Sequence, residues 1–179
     1  MQKTKVKELI MSYGVPKGTR LLCAVSGGID SMVMLSLLNE MNYECVVAHC
    51  NFRLRGDESD GDEQFVREMC EKMYIPCFVN TFDTHKFADE TGLSIQMAAR
   101  KLRYDWFYEL AEKENCSYIA LAHNSDDQVE TAILNFARGT GIRGVSGMKP
   151  LAGKLFRPLI EVSRADIVQI STEDNIPFH

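Results

Sequence analysis

Short apolar runs alternate along the chain with longer amphipathic stretches. Arg20–Ser26, Glu44–His49, Pro76–Phe82 and Ser117–His123 are the apolar, β-rich runs, the pattern of short strands. Between them, Ile29–Met41 is apolar nearly all round, as expected of a helix packed between a sheet and its neighbours. Glu63–Met73 repeats Phe65, Val66, Met69, Cys70 and Met73 at helical spacing, and Leu93–Lys113 does so with Ile95, Ala98, Leu102, Trp106 and Leu110. The alternation predicts an α/β domain with a doubly wound, mostly parallel sheet of about five strands and helices on both faces. Leu54–Gly61 is polar and charged, which predicts the most mobile loop of the chain. There is no internal repeat, low-complexity segment or long linker.

Length and composition narrow this to one domain. A chain of 179 residues that is 45% hydrophobic can build one core, so residues 1–179 are expected to form a single domain. Met1–Ile10 carries Lys3, Lys5 and Lys7 and no apolar run, so it reads as neither a signal peptide nor a membrane span, and a cytoplasmic location with no membrane partner is expected. The cysteines Cys23, Cys45, Cys50, Cys70, Cys77 and Cys116 include no Cys-x-x-Cys pair, which removes the usual zinc and iron–sulfur spacings and predicts buried thiols.

A net charge of −5 argues against a surface that binds nucleic acid throughout. The charge is nevertheless segregated. Asp57–Glu71 holds seven acidic residues and one Arg, whereas Arg138, Arg143, Lys149, Lys154, Arg157 and Arg164 face only Glu161 over Arg138–Arg164. Two solvated faces of opposite sign account for this without any ligand.

Ser26-Gly27-Gly28-Ile29-Asp30-Ser31 lies between the strand Leu21–Val25 and the helix that Met32 continues. A strand, a Gly-Gly turn and a helix N-terminus gather unpaired N–H groups and the positive end of a dipole around one point, which suits phosphate. No Gly-Lys-Ser/Thr follows, so this is not a Walker A loop, and the Gly-x-Gly-x-x-Gly of dinucleotide sites is missing too. A second constellation, His123-Asn124-Ser125-Asp126-Asp127-Gln128-Val129-Glu130-Thr131, follows the strand Ser117–Ala122. Val129, Ala132, Ile133 and Phe136 are expected to form the buried stripe of the helix that follows, with Asp127 and Glu130 on another face. Those carboxylates could hold magnesium on ATP phosphates; alternatively Asp126 or Asp127 is a helix N-cap and Glu130 a first-turn partner of the dipole. Arg100 and Arg103 share a helical face with Tyr104 and Phe107, a mixture suited to stacking and phosphate contact around an extruded base, or to pairing with nearby acids. His49, at a strand end, and Arg55, in the charged loop, are weaker candidates.

The Ser26–Ser31 segment resembles the PP-loop of the N-type ATP pyrophosphatases, whose pattern is Ser-Gly-Gly-x-Asp-Ser. In that family the loop holds the β and γ phosphates, leaving the α phosphorus open to attack and pyrophosphate free to depart. The resemblance implies an adenine nucleotide alpha hydrolase-like fold, ATP as substrate and Mg2+ as its companion ion. Within the group, the chain is similar to the tRNA(Ile)-lysidine synthetases over nearly its whole length. Ala122-His123-x-x-Asp126-Asp127-Gln128-x-Glu130-Thr131, Arg138-Gly139-Thr140-Gly141-Ile142-x-Gly144 with Gly147-Met148, Ala98-Ala99-Arg100-x-x-Arg103-Tyr104 and Arg157-Pro158-Leu159 carry that similarity. Phe52 stands where the family pattern has a second histidine, and Gln96 where glutamate is frequent.

Enzymes of this kind attach L-lysine to the wobble cytidine of an isoleucine tRNA with a CAU anticodon, through an adenylated base. The resemblance implies ATP binding by Ser26, Gly27, Gly28, Ile29, Asp30 and Ser31, catalysis by Asp30, Asp127, Glu130 and His123, and substrate contact by Arg55, Arg100, Arg103 and Arg138. Magnesium on Asp127 and Glu130 remains open against a role for these carboxylates in holding the lysine ammonium, with His123 able to take its proton. The family carries further C-terminal domains that grip tRNA, so a catalytic domain truncated before them is expected; the oligomeric state stays open, a homodimer included. A tRNA thiolase of the same group, or a non-enzymatic ATP-binding module, are the rival readings, and the cysteine spacing argues against the first.

Overall fold

The computed structural model describes residues 1–54, 56–137 and 147–179, with side-chain positions given for all of these except residues 57, 132 and 134–137. Helix α1 (Lys3–Ser12) leads into strand β1 (Arg20–Ala24), followed by α2 (Ile29–Glu40), β2 (Glu44–Asn51), α3 (Asp57–Lys72) and β3 (Cys77–Thr81). Helices α4 (Thr84–Thr91) and α5 (Ile95–Lys113) precede β4 (Tyr118–Ala120) and α6 (Ser125–Ala137). A hairpin of β5 (Leu151–Ala152) and β6 (Leu155–Phe156) and a last helix, α7 (Arg164–Glu173), complete the described elements.

The strands form a six-stranded sheet in the order β3-β2-β1-β4-β6-β5. All neighbours run parallel except β5 and β6. β1 sits between β2 and β4, with Leu21 beside both Cys45 and Tyr118, and Cys23 beside both Val47 and Ala120. Successive β1 side chains alternate faces, so Leu21 and Cys23 enter one core and Leu22 the other. Val6, Ile10, Val66, Cys70, Ile167 and Ile170, from α1, α3 and α7, share the first core with all of the buried face of α2; Phe107, Leu110 and Ala111 of α5 fill the second. A strand covered on both faces must be apolar throughout, and this explains the unbroken Leu-Leu-Cys run.

Helix α2 is buried on nearly every side, with Met32, Val33, Met34, Leu35, Leu37 and Leu38 in the core. It lies between the sheet and α7, as its all-round apolarity predicts. Helix α3 begins earlier than the Phe65–Met73 stripe shows, so residues 57–61, read from composition as loop, form its first turns. Helix α4 was not evident from periodicity; Asp83 starts it by accepting a hydrogen bond from the Lys86 N–H at 3.1 Å. The β5–β6 hairpin extends the predicted sheet by two short strands, turning at Gly153 with φ +59° beside Lys154. All six cysteines are free, four of them buried and Cys50 and Cys77 half-buried. Among the described residues, no helix is long and apolar enough to cross a membrane.

Leu35 of α2 is fully buried in the core that α2 shares with α1, α3 and α7. Leu35→Ala is expected to lower unfolding free energy by about 2–5 kcal/mol, the range for a buried Leu deletion, measured by urea denaturation.

Candidate active site

The sheet order places its change of direction beside β1: the chain runs from β1 outward through β2 and β3, then returns to lay β4 on the other side. In open α/β sheets, ligands bind at the C-terminal edge of such a switch point. Here the three central strands end at Ala24–Val25, Ala48–Cys50–Phe52 and Leu121–Ala122–His123, which line one cavity of about 250 Å³. Ser26, Asp30, Ser31, Arg103, Tyr104 and Phe107 complete its wall. Its lining combines the small apolar Ala24, Ala48 and Ala122 with the polar Ser26, Asp30, Ser31, Arg103 and His123.

Pairing of β1 with β2 persists to the Val25 N–H, which donates to the Ala48 carbonyl at 3.0 Å. The chain then turns. Gly27 adopts φ +97°, a conformation that favours glycine, and an added Cβ would lie 3.5 Å from both Phe65 and Val66 of α3. Ser31 ties the loop together: its hydroxyl donates to the Gly28 carbonyl at 2.8 Å and accepts from the Ser26 N–H at 3.2 Å. The Ser26 hydroxyl in turn accepts from the Gly28 N–H at 3.3 Å. Gly28 precedes α2 without any side-chain cap, so the first-turn N–H groups of α2 meet no side-chain acceptor. A helix start of this kind attracts oxyanions.

Asp30 stands in that first turn. One carboxylate oxygen pairs with the Arg164 guanidinium from the start of α7, and the other is buried with no hydrogen-bond partner. A buried carboxylate oxygen left in this state is costly unless a ligand or cation completes it, so Asp30 fits a magnesium ion held against phosphate. Arg164 went unnoticed as a site residue in the sequence. Ser163 caps α7 by accepting from the Asp166 N–H at 3.1 Å, and this fixes Arg164 where it reaches a residue 134 positions earlier.

At the end of β4, the Asn124 side chain caps α6 by accepting from the Asp126 and Asp127 N–H groups at 2.8 and 3.2 Å. One Asp127 carboxylate oxygen accepts from the Asn124 N–H at 2.9 Å, which completes a reciprocal capping box. The cap is therefore Asn124 and neither Asp126 nor Asp127. Glu130 is exposed on the next turn, and neither it nor Asp127 lines the cavity. No cluster of three or more His, Cys, Asp or Glu with metal-site geometry occurs among the described residues. Val129 and Ile133, expected to be buried, are exposed at 59% and 62%. The side of α6 that meets the body of the molecule bears Gln128, which donates to the Ile160 carbonyl at 3.1 Å. The Ala132 and Phe136 side chains, the second half of the expected stripe, lie outside the described positions, as do Arg55 and Arg138.

His123 and Arg103 reach the cavity; Arg100 does not. The Arg103 guanidinium lies 5.2 Å from the Phe52 ring centroid, and Phe52 stacks on Phe82 at 5.5 Å. Arg100 covers Tyr104 at 4.9 Å and lines a separate groove with Met97, Lys101, Leu155 and Arg157. His49, a weaker candidate in the sequence, is buried with Nδ1 2.9 Å from the Val25 carbonyl; burial pushes its pKa down, although the Glu63 and Asp62 carboxylates pull upward. It lines a neighbouring cavity with Asn51, Phe52, Asp62 and Arg103. Buried Asn51 donates to Asp60 at 2.9 Å and Glu63 at 3.1 Å, and this is how the acidic face of α3 is anchored to β2. Burial also pushes the Cys50 thiol up to about 12, with Arg103 pulling it only partly back.

The chain belongs to the PP-loop domain family, whose model it matches over residues 1–179. It is similar to the tRNA(Ile)-lysidine synthase of Bacteroides thetaiotaomicron, at 47% identity over 150 residues that cover 84% of this chain and 35% of the relative. The tRNA(Ile)-lysidine synthase of Chlorobaculum tepidum is 42% identical over 183 residues, covering 98% of this chain and 55% of the relative. The chain thus spans about a third to a half of the length of the curated relatives it matches. Among solved structures, a U34-tRNA thiolase of Methanococcus maripaludis with its [4Fe-4S] cluster superposes with a TM-score of 0.80 at 20% identity, over 99% of this chain and 64% of that one. An NH3-dependent NAD synthetase of Campylobacter jejuni does so with a TM-score of 0.68 at 14% identity, over 98% and 75% of the two chains. At such identities the likeness concerns the fold, which is the doubly wound α/β architecture expected of the sequence.

Two outcomes check this geometry. Gly27→Ala is expected to cost about 1–3 kcal/mol of stability through its backbone conformation, and Gly28→Ala under about 1 kcal/mol, a difference visible in urea midpoints. Cys50 is expected to be alkylated by iodoacetamide at pH 8 on the order of 10²-fold more slowly than a free peptide thiol, because only the scarce thiolate reacts. Alkylation followed by peptide mass spectrometry reads that rate.

Proposed function

We propose that this chain is the ATP-using part of an enzyme that joins L-lysine to the wobble cytidine of a CAU-anticodon isoleucine tRNA in the cytoplasm, releasing AMP and pyrophosphate. The observation that carries this reading is the coincidence, at one switch-point cavity, of the Ser26–Ser31 loop, the half-satisfied Asp30 carboxylate, His123 and Arg103. The name tRNA(Ile)-lysidine synthase, carried by curated relatives at 40%, 47% and 49% identity, supports the choice of tRNA, and the family resemblance suggests lysine.

The chemistry asks for two displacements. The C2 oxygen of cytidine attacks the α phosphorus while the bond to the β-phosphate oxygen breaks and pyrophosphate leaves. The lysine amine then attacks C2, the C2–O bond breaks, and AMP leaves as the amine gives up a proton. The α2 N-terminus and its serine loop hold the β and γ phosphates, and Asp30 stands where magnesium would be held beside them. Bound magnesium would neutralise charge on the departing pyrophosphate. The small apolar lining at Ala24, Ala48 and Ala122 suits a flat adenine ring, and Arg103, backed by Phe52, suits contact with the reacting base or its phosphate. Asp127 and exposed Glu130 do not line the cavity, and their proposed service to magnesium or the lysine ammonium rests on the family motif, as does contact of Arg55, Arg100 and Arg138 with the RNA. The thiolase reading is disfavoured by the raised Cys50 pKa, since Cys50 is the cysteine lining the cavity.

The test uses the full-length gene product and α-labelled ATP. AMP is expected only with lysine, magnesium and the tRNA together, and lysine-independent AMP release would sink the proposed second substrate. Asp30→Ala and Asp127→Ala are each expected to reduce AMP formation at least 10²-fold while the protein still folds cooperatively, with a melting temperature lowered only by the lost Arg164 pair or α6 cap. Arg103→Ala is expected to raise the apparent KM for tRNA more than that for ATP; equal increases would remove its assignment to the RNA.

A further inference from the structure

His123 ends β4 at the cavity wall, and its ring has two distinguishable edges. Nδ1 lies 3.2 Å from Nε of Arg157. Arg157 is itself buried and firmly held, since its guanidinium donates to the Lys149 carbonyl at 3.0 Å and its backbone N–H to the Pro150 carbonyl at 2.8 Å. A guanidinium offers donors only and keeps its charge in proteins, so Nδ1 must present a lone pair to it. An imidazole with a lone pair on Nδ1 carries its proton on Nε2. His123 lines the cavity, whereas Arg157 lines only the groove that adjoins it across Tyr104; with Nδ1 engaged by Arg157, Nε2–H is the ring donor left for a ligand in the cavity.

The surrounding charges favour the same state. Burial and the Arg157 cation push the His123 pKa down; Arg100 and Arg103 of α5 act in the same direction, and only Asp127 of α6 opposes them. A proton added to Nδ1 would also have to face the Arg157 N–H.

We propose that Arg157 is a positioning residue that locks His123 as a neutral Nε2–H hydrogen-bond donor aimed into the nucleotide cavity, so that His123 stabilises a phosphoryl oxygen and does not act as the general base. The inference deepens the proposed function and rests on it for the identity of the acceptor. As the C2 oxygen attacks and pyrophosphate leaves, negative charge grows on the non-bridging oxygens of the α phosphate. The His123 N–H donates to one of these without transferring its proton, and the Arg157 charge behind the ring strengthens that donor. The arrangement supplies no basic nitrogen to the attacking lysine amine.

Two measurements on the full-length protein decide the matter. With 15N-labelled histidine, and with the His123 signals identified by their loss in His123→Gln, imidazole two-bond correlations at pH 7.5 are expected to show Nε2 protonated and Nδ1 bare. In Arg157→Met the titration midpoint of the ring is expected to move up, because the cation that disfavours a second proton is gone. An Nδ1–H tautomer, or a wild-type imidazolium at that pH, would overturn the inference whether or not the enzyme makes lysidine. In the AMP-release assay, Gln keeps an N–H near the Nε2 position but cannot accept a proton. His123→Ala is therefore expected to lose on the order of 10²–10³ in rate, and His123→Gln to retain at least tenfold more activity than His123→Ala. Equal losses in the two variants would restore His123 to the role of base. Absence of AMP from the wild type under every substrate combination would remove the proposed function, and the labelling experiment would still decide the tautomer.

Discussion

Everything at the site depends on how the chain leaves β1. That strand is the centre of the sheet and is covered on both faces, and the helix that follows is buried on nearly every side. Strand and helix can pack this closely only if the four residues between Ala24 and Ile29 reverse the chain abruptly, and the positive φ of Gly27 under Phe65 and Val66 does so. Two consequences follow from the one turn. The uncapped N–H groups at the start of α2 face the C-terminal edge of the sheet, and Asp30 is carried to that edge with them. An anion site and a carboxylate are thus placed side by side by the packing of an apolar helix.

Four arginines among the described residues near this edge are each committed to a neighbour. Arg164 pairs with Asp30, Arg157 with His123, Arg103 lies over Phe52 and Arg100 over Tyr104. Arginine suits such work because its planar group donates, stacks and stays charged. The acidic residues of α3 are organised on the far side of the loop, where Asp60 and Glu63 accept from Asn51 and Asp62 contacts the ring of His179. From the two charge runs of the sequence, Arg164 reaches Asp30 beside the Ser26–Ser31 loop, and Glu58 and Asp62 line a cavity with Ser26 and Gly28 of the same loop. The net negative charge of the chain says little about a pocket lined in this way.

The strands and helices could be read from the sequence to within a few residues wherever a single periodicity governed burial. β1, β2, α2 and the body of α5 are such cases, because each is packed on faces that its own pattern declares. The reading failed where burial depends on a partner remote in sequence. Val129 and Ile133 look like a buried stripe, yet α6 turns Gln128 toward Ile160 and leaves those residues in solvent. The charged stretch before Phe65 looks like loop, yet its residues from 57 onward are helical, with Asp60 and Glu63 held by Asn51 of β2.

The sequence by itself determined the fold class, the glycine turn between β1 and α2 and the family, because alternating periods, a Gly-Gly pair between strand and helix, and the spacing of motif residues are local properties of the chain. Tertiary structure alone decided which residues meet. It drew Ser26, Asp30, Arg103 and His123 into one cavity, assigned Arg100 to another, made Asn124 and not its acidic neighbours the cap of α6, and set Arg164 on Asp30 and Arg157 behind His123. Those pairings span 34 residues in one case and 134 in the other. No local pattern encodes a contact at that distance, since it exists only once the sheet has brought the ends of β1, β4 and β6 together.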